Sequence, residues 1–282
     1  LRTFQASCRV FLKQNPEKPV GSQYVELTAK DWYPACHAAL LLNDESLQAT
    51  KAFFQRWFVP VEFFDHQSVP GLFTGYYMPR IKGNLTKTKR YSTPIYGFPH
   101  QTRHLSYYTR EKIDNGSLGN KAPIIAWINS PIERLFLEIE GSGVIQLPNG
   151  ESLYLGYAGE NGARYTSIGH VLIKKGVLTK DNASKQGIKR YLESQPKNVN
   201  SILHENKSFV FFQKLKQPMA LGAQGMGLTP GYSLAVDKQW IPLGAPLWLA
   251  TTVPDKQRVN NKPFQRLMIA QDTGGAITGL MR

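Results

Sequence analysis

One acidic segment near the end of the sequence has the residue types of a catalytic carboxylate. The apolar run from Leu267 to Ala270 leads into a polar, glycine-rich segment: Gln271, Asp272, Thr273, Gly274 and Gly275. A carboxylate that follows an apolar strand is partly desolvated, and this raises its pKa towards the value that a general acid needs. The two glycines let the backbone turn tightly and let a ligand approach closely. The alternative for this segment is a structural aspartate in a turn.

The tripeptide Asp272-Thr273-Gly274 also raises the possibility of an aspartic protease. That class needs two carboxylates that share a proton, from a repeated motif or from a dimer. The sequence contains a single Asp-Thr-Gly, and the residues printed after it are too few for the rest of a protease lobe. The pattern therefore argues against a protease.

A second candidate segment runs from Leu135 to Gly143. Its alternation predicts a β-strand with Glu138 and Glu140 on one face, where two carboxylates can act as a glycosidase pair or simply face solvent. The following Gly141-Ser142-Gly143 is expected to offer backbone amides and a hydroxyl to a polar ligand. It lacks the strand-to-helix turn of a Gly-x-Ser-x-Gly hydrolase.

A third candidate segment is aromatic. It begins at Phe73 and is predicted to form a short strand that contains Thr74, Gly75, Tyr76 and Tyr77. Tyrosine rings beside a glycine can pack on sugar rings while their hydroxyls form hydrogen bonds. Packing in a hydrophobic core is an equally good explanation for this segment taken alone.

The composition limits the other classes of function. The two cysteines, Cys8 and Cys36, are too few for a structural zinc site, and His100 and His104 lie in a stretch broken by Pro and Thr, so we predict no metal and no cofactor. The net charge of +14 favours polyanionic partners such as nucleic acid, anionic lipid or an acidic wall polymer. The bases are scattered and form no nucleic-acid-binding module, so we expect no nucleic acid. The apolar runs fall short of the about 20 residues of a membrane helix.

The elements that must position these residues change along the chain. Helices are predicted at 31–42 and after Ser46, followed by a β-rich middle with a hairpin turn at Pro148-Asn149-Gly150. Short helices follow at 168–175, capped by Ser167, and at 184–192 and 199–204. Short strands at 209–212, 233–236, 247–250 and 267–270 then suit a small barrel.

Together these segments resemble the MltA family of lytic transglycosylases over nearly the whole chain. The resemblance rests on eight motifs in the family's order: Phe73–Tyr77, Pro94–Gly97, Glu140–Gly143, Gly156–Gly159 with Asn161-Gly162, Ser167–Gly169, Ser208–Phe212, Ala235–Asp237 and Gln271–Ile277. Each motif is weak alone, and their common order makes the resemblance specific.

The resemblance implies a fold that is mainly β with helices (α+β). A double-psi β-barrel domain would combine residues 1–80 and 206–282, and its C-terminal part resembles the 3D domain. A β-rich domain, residues 81–205, would be inserted between these segments, with a substrate groove between the two domains.

The resemblance also implies a reaction and its residues. A single acid would protonate the bond between N-acetylmuramic acid and N-acetylglucosamine, then deprotonate the muramic C6 hydroxyl to leave a 1,6-anhydro end. The family's principal acid is expected just after Arg282, Asp272 would support it, and Asp237 would be structural. The groove would be lined by Thr74, Gly75, Tyr76, Tyr77, Gly141, Ser142, Gly143, Gln271, Thr273, Gly274 and Gly275.

A location follows from the same resemblance. We expect a periplasmic protein of a Gram-negative bacterium, attached to the outer membrane through an N-terminal lipid anchor, with peptidoglycan strands and other cell-wall enzymes as partners. An oxidising periplasm favours a disulfide between Cys8 and Cys36. Because the acid is expected beyond Arg282, a non-catalytic peptidoglycan-binding protein is the alternative.

Overall fold

A computed structural model of the chain describes residues 1–44, 46–62, 73–100, 105–217, 219–254, 261–275 and 277–279. Among these residues, no helix is both long enough and apolar enough to cross a membrane.

Helices and strands alternate irregularly along the chain. The α-helices are α1 (Arg2–Phe11), α2 (Tyr33–Leu41), α3 (Leu47–Trp57), α4 (Arg110–Asp114), α5 (Pro131–Glu140), α6 (Ile168–Lys174), α7 (Lys185–Ser194) and α8 (Val199–Leu203). The strands are β1 (Arg80–Asn84), β2 (Thr93–Tyr96), β3 (Ile124–Ile128), β4 (Ser142–Gln146), β5 (Ser152–Glu160), β6 (Val210–Leu215), β7 (Ser233–Ala235), β8 (Pro246–Pro254) and β9 (Asn261–Asp272).

The chain divides into two compact units. The terminal unit combines residues 1–75 and 221–282, and the inserted unit contains residues 76–220. The sequence predicts that β6 belongs to the C-terminal segment, residues 206–282. In the structure β6 pairs with β5 of the inserted unit, because these two strands are antiparallel neighbours in one sheet.

The terminal unit joins the two ends of the chain through its core. Phe4, Cys8 and Phe11 of α1 pack with Trp32 and Cys36 from the α2 region. Ile269 of β9 belongs to the same core cluster. Among the described residues, β9 is the central strand of a three-stranded sheet, parallel to β7 and antiparallel to β8.

The inserted unit contains a six-stranded sheet in the order β2-β3-β1-β4-β5-β6 among the described residues. The pairing of β1 with β4 is parallel, and the other neighbours are antiparallel. Gly97, just after β2, forms a bridge to Phe212 of β6. The two edge strands therefore approach each other, and Ile95 and Phe212 share the core that the curled sheet encloses.

A layer of helices covers part of this sheet. One of these helices replaces a strand that the sequence predicts. Residues 135–140, predicted as a strand, belong to helix α5. Ser130 caps this helix by accepting the Ile132 N–H, Pro131 occupies its first turn, and Gly141 ends it with φ +71°. The apolar side chains of Ile132, Leu135 and Phe136 have helical spacing and join the core formed with α6, α7 and α8.

Several local predictions are confirmed. Residues 148–150 connect β4 to β5, and Gly150 adopts φ +86° in that turn. Ser46 and Ser167 each accept a backbone N–H at the start of a helix, as predicted, and Ser184 does the same at the start of α7.

In the structure, Cys8 and Cys36 form a disulfide with 5.0 Å between their Cα atoms, which ties α1 to α2. We predict that reduction lowers the free energy of unfolding by about 3 kcal/mol, because the cross-link restricts the unfolded chain. Denaturant unfolding with and without dithiothreitol measures this change, and a mobility shift on non-reducing gels tests for the bond itself.

The double variant Cys8→Ala/Cys36→Ala is the control for the reductant. Its stability should not respond to dithiothreitol. Equal unfolding curves for the reduced and oxidised wild type would contradict the disulfide.

Candidate functional site

Two of the predicted segments meet in the inserted unit. The backbone N–H of Tyr77 donates to Oε2 of Glu140 at 3.2 Å. Two residues further, the Pro79 carbonyl accepts the N–H of Val144 at 2.8 Å. Hydrogen bonds to Glu140 and to Val144, which lie on either side of residues 141–143, therefore hold the aromatic segment against the α5–β4 corner.

The α5–β4 corner depends on its glycines. Gly141 has a positive φ, which ends α5 in the left-handed region. A Cβ on Gly143 would lie 2.3 Å from Leu137 Cδ1 and 3.2 Å from the Pro79 carbonyl oxygen. Since Leu137 is fully buried, Gly143 is the residue that lets residues 77–79 pack against the corner.

Ser142 differs from its predicted role. Its hydroxyl is predicted to face a ligand, but Ser142 is only 5% exposed and pairs with Gly156 in the sheet. Its burial places Ser142 in the packing of the corner, and ligand binding by its hydroxyl stays a prediction.

The aromatic segment is irregular rather than a strand. Residues 73–79 have no regular secondary structure, so the predicted short strand is wrong. Thr74, Gly75, Tyr76 and Tyr77 are all exposed, and Tyr77 is 57% exposed. The segment therefore presents tyrosine rings to solvent instead of packing them in a core, which is the property that sugar stacking requires.

A buried ion pair anchors the helix that leads into the corner. Arg110 of α4 donates from its guanidinium to both carboxylate oxygens of Glu138 on α5, and both side chains are almost completely buried. The same guanidinium donates to the carbonyl oxygens of Asn206, at 3.0 Å, and Ser208, at 2.7 Å. The desolvated charges are thus paired and hydrogen-bonded, as burial demands.

A second arginine extends this network. Arg134 of α5 pairs with Asp114 and lies 3.4 Å from Glu138, and Asp114 also contacts His204 Nε2 at 3.1 Å. Both guanidinium groups lie near the Phe209 ring: the guanidinium carbon of Arg110 is 5.4 Å from the ring centre, and that of Arg134 is 5.0 Å from it. Helices α4, α5 and α8 are therefore fixed to the start of β6 by one polar cluster.

In the terminal unit, Gln271 is tied to the protein interior. It is fully buried, and its amide nitrogen donates to the Thr3 carbonyl at 2.8 Å and to Ser7 Oγ at 2.7 Å. Its amide oxygen accepts the Ser233 hydroxyl at 2.6 Å. These bonds give Gln271 a structural role, and its predicted role in glycan binding stays a prediction.

The two aspartates of this unit both bind backbone amides. Oδ1 of Asp272 accepts the N–H of Ala223 at 2.9 Å. Asp237 accepts the N–H groups of Gln239, at 3.0 Å, and Gly279, at 2.8 Å. These bonds give Asp237 the geometry of a structural residue, while Asp272 is half-buried at the end of β9, where a carboxylate can also face a ligand.

The residues after Asp272 leave the sheet. Thr273 and Gly274 are half-buried and Gly275 is exposed. The Gly274 carbonyl accepts the Ile277 N–H at 2.9 Å, which closes a turn. Among the described residues, no cluster of His, Cys, Asp and Glu has the arrangement of a metal site.

Sequence reasoning missed the residues that hold these segments in place. Arg110, Arg134 and Lys185 contact the α5 acids across 28, 4 and 45 residues of sequence, respectively. In the sequence, Arg110 is followed by Glu111 and, four residues later, by Asp114, so nothing local points to Glu138 as its partner.

Comparisons with known proteins extend these observations. The family model for the MltA specific insert domain matches residues 72–213, and the 3D domain model matches residues 232–282. The chain belongs to the MltA family. Its mixture of helix and sheet confirms the predicted α+β class, and the MltA insert model covers most of the inserted unit.

Individual MltA proteins match over long stretches. The chain is 36% identical over 210 residues to membrane-bound lytic murein transglycosylase A of Escherichia coli K12, which covers 73% of this chain and 57% of that protein. The crystal structure of MltA from Neisseria gonorrhoeae in its monoclinic form matches with a TM-score of 0.78 at 31% identity, covering 99% of this chain and 78% of that one. E. coli MltA with bound chitohexaose matches with a TM-score of 0.68 at 35% identity, covering 74% and 62%. The chain thus spans little more than half the length of the curated E. coli relative.

We predict that Glu138→Gln lowers the free energy of unfolding by about 3–5 kcal/mol, because it leaves the buried Arg110 charge without its carboxylate. Urea denaturation measures the change. Glu193→Gln is the control, since Glu193 forms an exposed pair with Lys189 at 3.8 Å, and its loss should cost less than about 1 kcal/mol. Equal effects of the two substitutions would contradict the anchoring role of Glu138.

Proposed function

We propose that this chain belongs to a lytic transglycosylase that cleaves the glycan strands of peptidoglycan. The observation that carries the proposal is the exposed tyrosine segment held on the α5–β4 corner, in a chain that belongs to the MltA family. An E. coli relative of this family has been crystallised with chitohexaose, a sugar oligomer. Exposed aromatic rings beside backbone amides suit such a ligand.

The inserted unit supplies one set of glycan contacts in this proposal. Tyr76 and Tyr77 offer their rings, and the preceding Thr74 and Gly75, the last residues of the first stretch of the terminal unit, keep the backbone accessible. Gly141 and Gly143 contribute by shaping the corner beneath Tyr77. The terminal unit supplies Asp272, Thr273, Gly274 and Gly275 at the end of β9.

The proposed reaction needs one acid and no water. The acid donates its proton to the glycosidic oxygen, and the bond from muramic C1 to that oxygen breaks. The resulting carboxylate takes the proton of the muramic C6 hydroxyl, whose oxygen bonds to C1 and closes the 1,6-anhydro ring. The resemblance assigns the proton transfers to an aspartate that follows Arg282, with Asp272 as a neighbouring charge that raises the pKa of that acid.

We propose that the protein is located in the cell envelope of a Gram-negative bacterium. We further propose that a lipid anchors it to the outer membrane. The net charge of +14 suits a wall polymer that carries acidic peptides and lactyl groups.

We predict that the full-length natural protein releases 1,6-anhydromuropeptides from purified sacculi, because the C6 hydroxyl replaces water as the nucleophile. Mass spectrometry distinguishes these products by the missing water. Reducing-end products would indicate a hydrolase, and binding to sacculi without any product would indicate a peptidoglycan-binding protein.

We also predict that Asp272→Asn in the full-length protein lowers kcat about tenfold or more with little change in glycan affinity, since the amide keeps the shape but removes the charge beside the acid. Product release measures kcat, and calorimetry with chitohexaose measures affinity. The exposed Asp181→Asn change is the control and should alter neither. Unchanged turnover in Asp272→Asn would remove Asp272 from the site.

A further inference from the structure

Lys185 connects helix α7 to the exposed tyrosine segment. It is the first residue of α7, and its ammonium donates to the Tyr77 hydroxyl at 3.0 Å and to Glu140 Oε1 at 3.4 Å. The same ammonium lies 5.0 Å from the centre of the buried Phe136 ring. Three contacts on three different residues therefore fix the end of a long, flexible side chain.

The ammonium holds Tyr77 at the polar end of its side chain. It lies 3.0 Å from the hydroxyl oxygen and 4.8 Å from the ring centre, so it also makes a cation–π contact with the ring. With both contacts made, Tyr77 is still 57% exposed.

Glu140 contacts the backbone of Tyr77 directly and its hydroxyl through Lys185. Its Oε2 accepts the Tyr77 backbone N–H, and its Oε1 accepts from the lysine that holds the Tyr77 hydroxyl. Tyr77 is thereby fixed at its backbone and at its side-chain tip, although no secondary structure supports residues 73–79.

We propose that Lys185 is a positioning residue for glycan binding, which orients the Tyr77 ring so that its face packs on a sugar ring. This inference rests on the proposed function. An exposed tyrosine in irregular backbone loses rotamer freedom when it binds a ligand, and a ring that is already fixed loses less. Lys185 provides this preorganisation and does not itself touch the sugar.

Lys189 provides a matched control on the same helix. It lies one turn after Lys185 and pairs with Glu133 of α5, much as Lys185 pairs with Glu140. The hydrogen bond with Glu133 is the largest cause of the raised pKa of Lys189. Both lysines link α7 to α5, but the hydrogen bond to the Tyr77 hydroxyl comes from Lys185.

The test measures chitohexaose affinity by calorimetry and thermal unfolding in four variants of the full-length protein. Lys185→Met should raise the Kd about fivefold or more. Lys189→Met should leave the Kd unchanged, although it should lower the melting temperature by about as much as Lys185→Met does. Lys185→Arg should restore affinity, because it keeps a cationic donor of similar reach. Tyr77→Phe, which keeps the ring but removes the hydroxyl, should raise the Kd to the level of Lys185→Met.

Combining Lys185→Met with Tyr77→Phe gives the decisive comparison. If the lysine acts through the hydroxyl, the double variant binds no more weakly than either single variant. Additive losses, or equal Kd values for Lys185→Met and Lys189→Met, would overturn the positioning role. Should Lys185→Met fail to fold, Tyr77→Phe alone decides, since an unchanged Kd in that variant also overturns it. A wild-type protein that neither binds chitohexaose nor cleaves sacculi would instead refute the proposed function.

Discussion

The buried ion pair between Arg110 and Glu138 is the constraint on which the inserted unit depends. Two charges out of water are tolerated only when they are paired and their remaining hydrogen-bonding groups are satisfied. Here the carbonyl oxygens of Asn206 and Ser208 accept further hydrogen bonds from the Arg110 guanidinium. The pair therefore holds α5 against α4 and the start of β6. Gly141 ends α5 three residues after Glu138, and Glu140 lies between them.

The terminal unit uses the same principle with neutral groups. Gln271 has donors and acceptors that must all be matched once it is buried, and it finds them on α1 and on β7. These bonds hold the last part of β9, and the chain leaves the sheet after Asp272. In both units, a buried and hydrogen-bonded polar side chain lies a few residues from a candidate site segment.

The sequence predicted what is decided locally. The helix caps at Ser46 and Ser167 and the turn at Gly150 depend on neighbouring residues, so their patterns were sufficient. Residues 135–140 were misassigned because their alternating apolar and polar letters match a strand, while the cap at Ser130 and the buried partners of Glu138 favour a helix. The roles of Gln271 and Lys185 could not be predicted, since their partners lie far away in sequence and only the folded chain brings them together.

The hydrogen bond from Gln271 to Thr3 spans 268 residues. A ribosome therefore releases α1 long before the strand that covers it exists. Until β9 emerges, the aromatic side chains of α1 lack part of their core, whereas residues 76–220 already contain every strand of their own sheet that the structure describes. The chain is thus expected to acquire its middle first during synthesis and to join its two ends last, and α1 needs protection from aggregation in the interval.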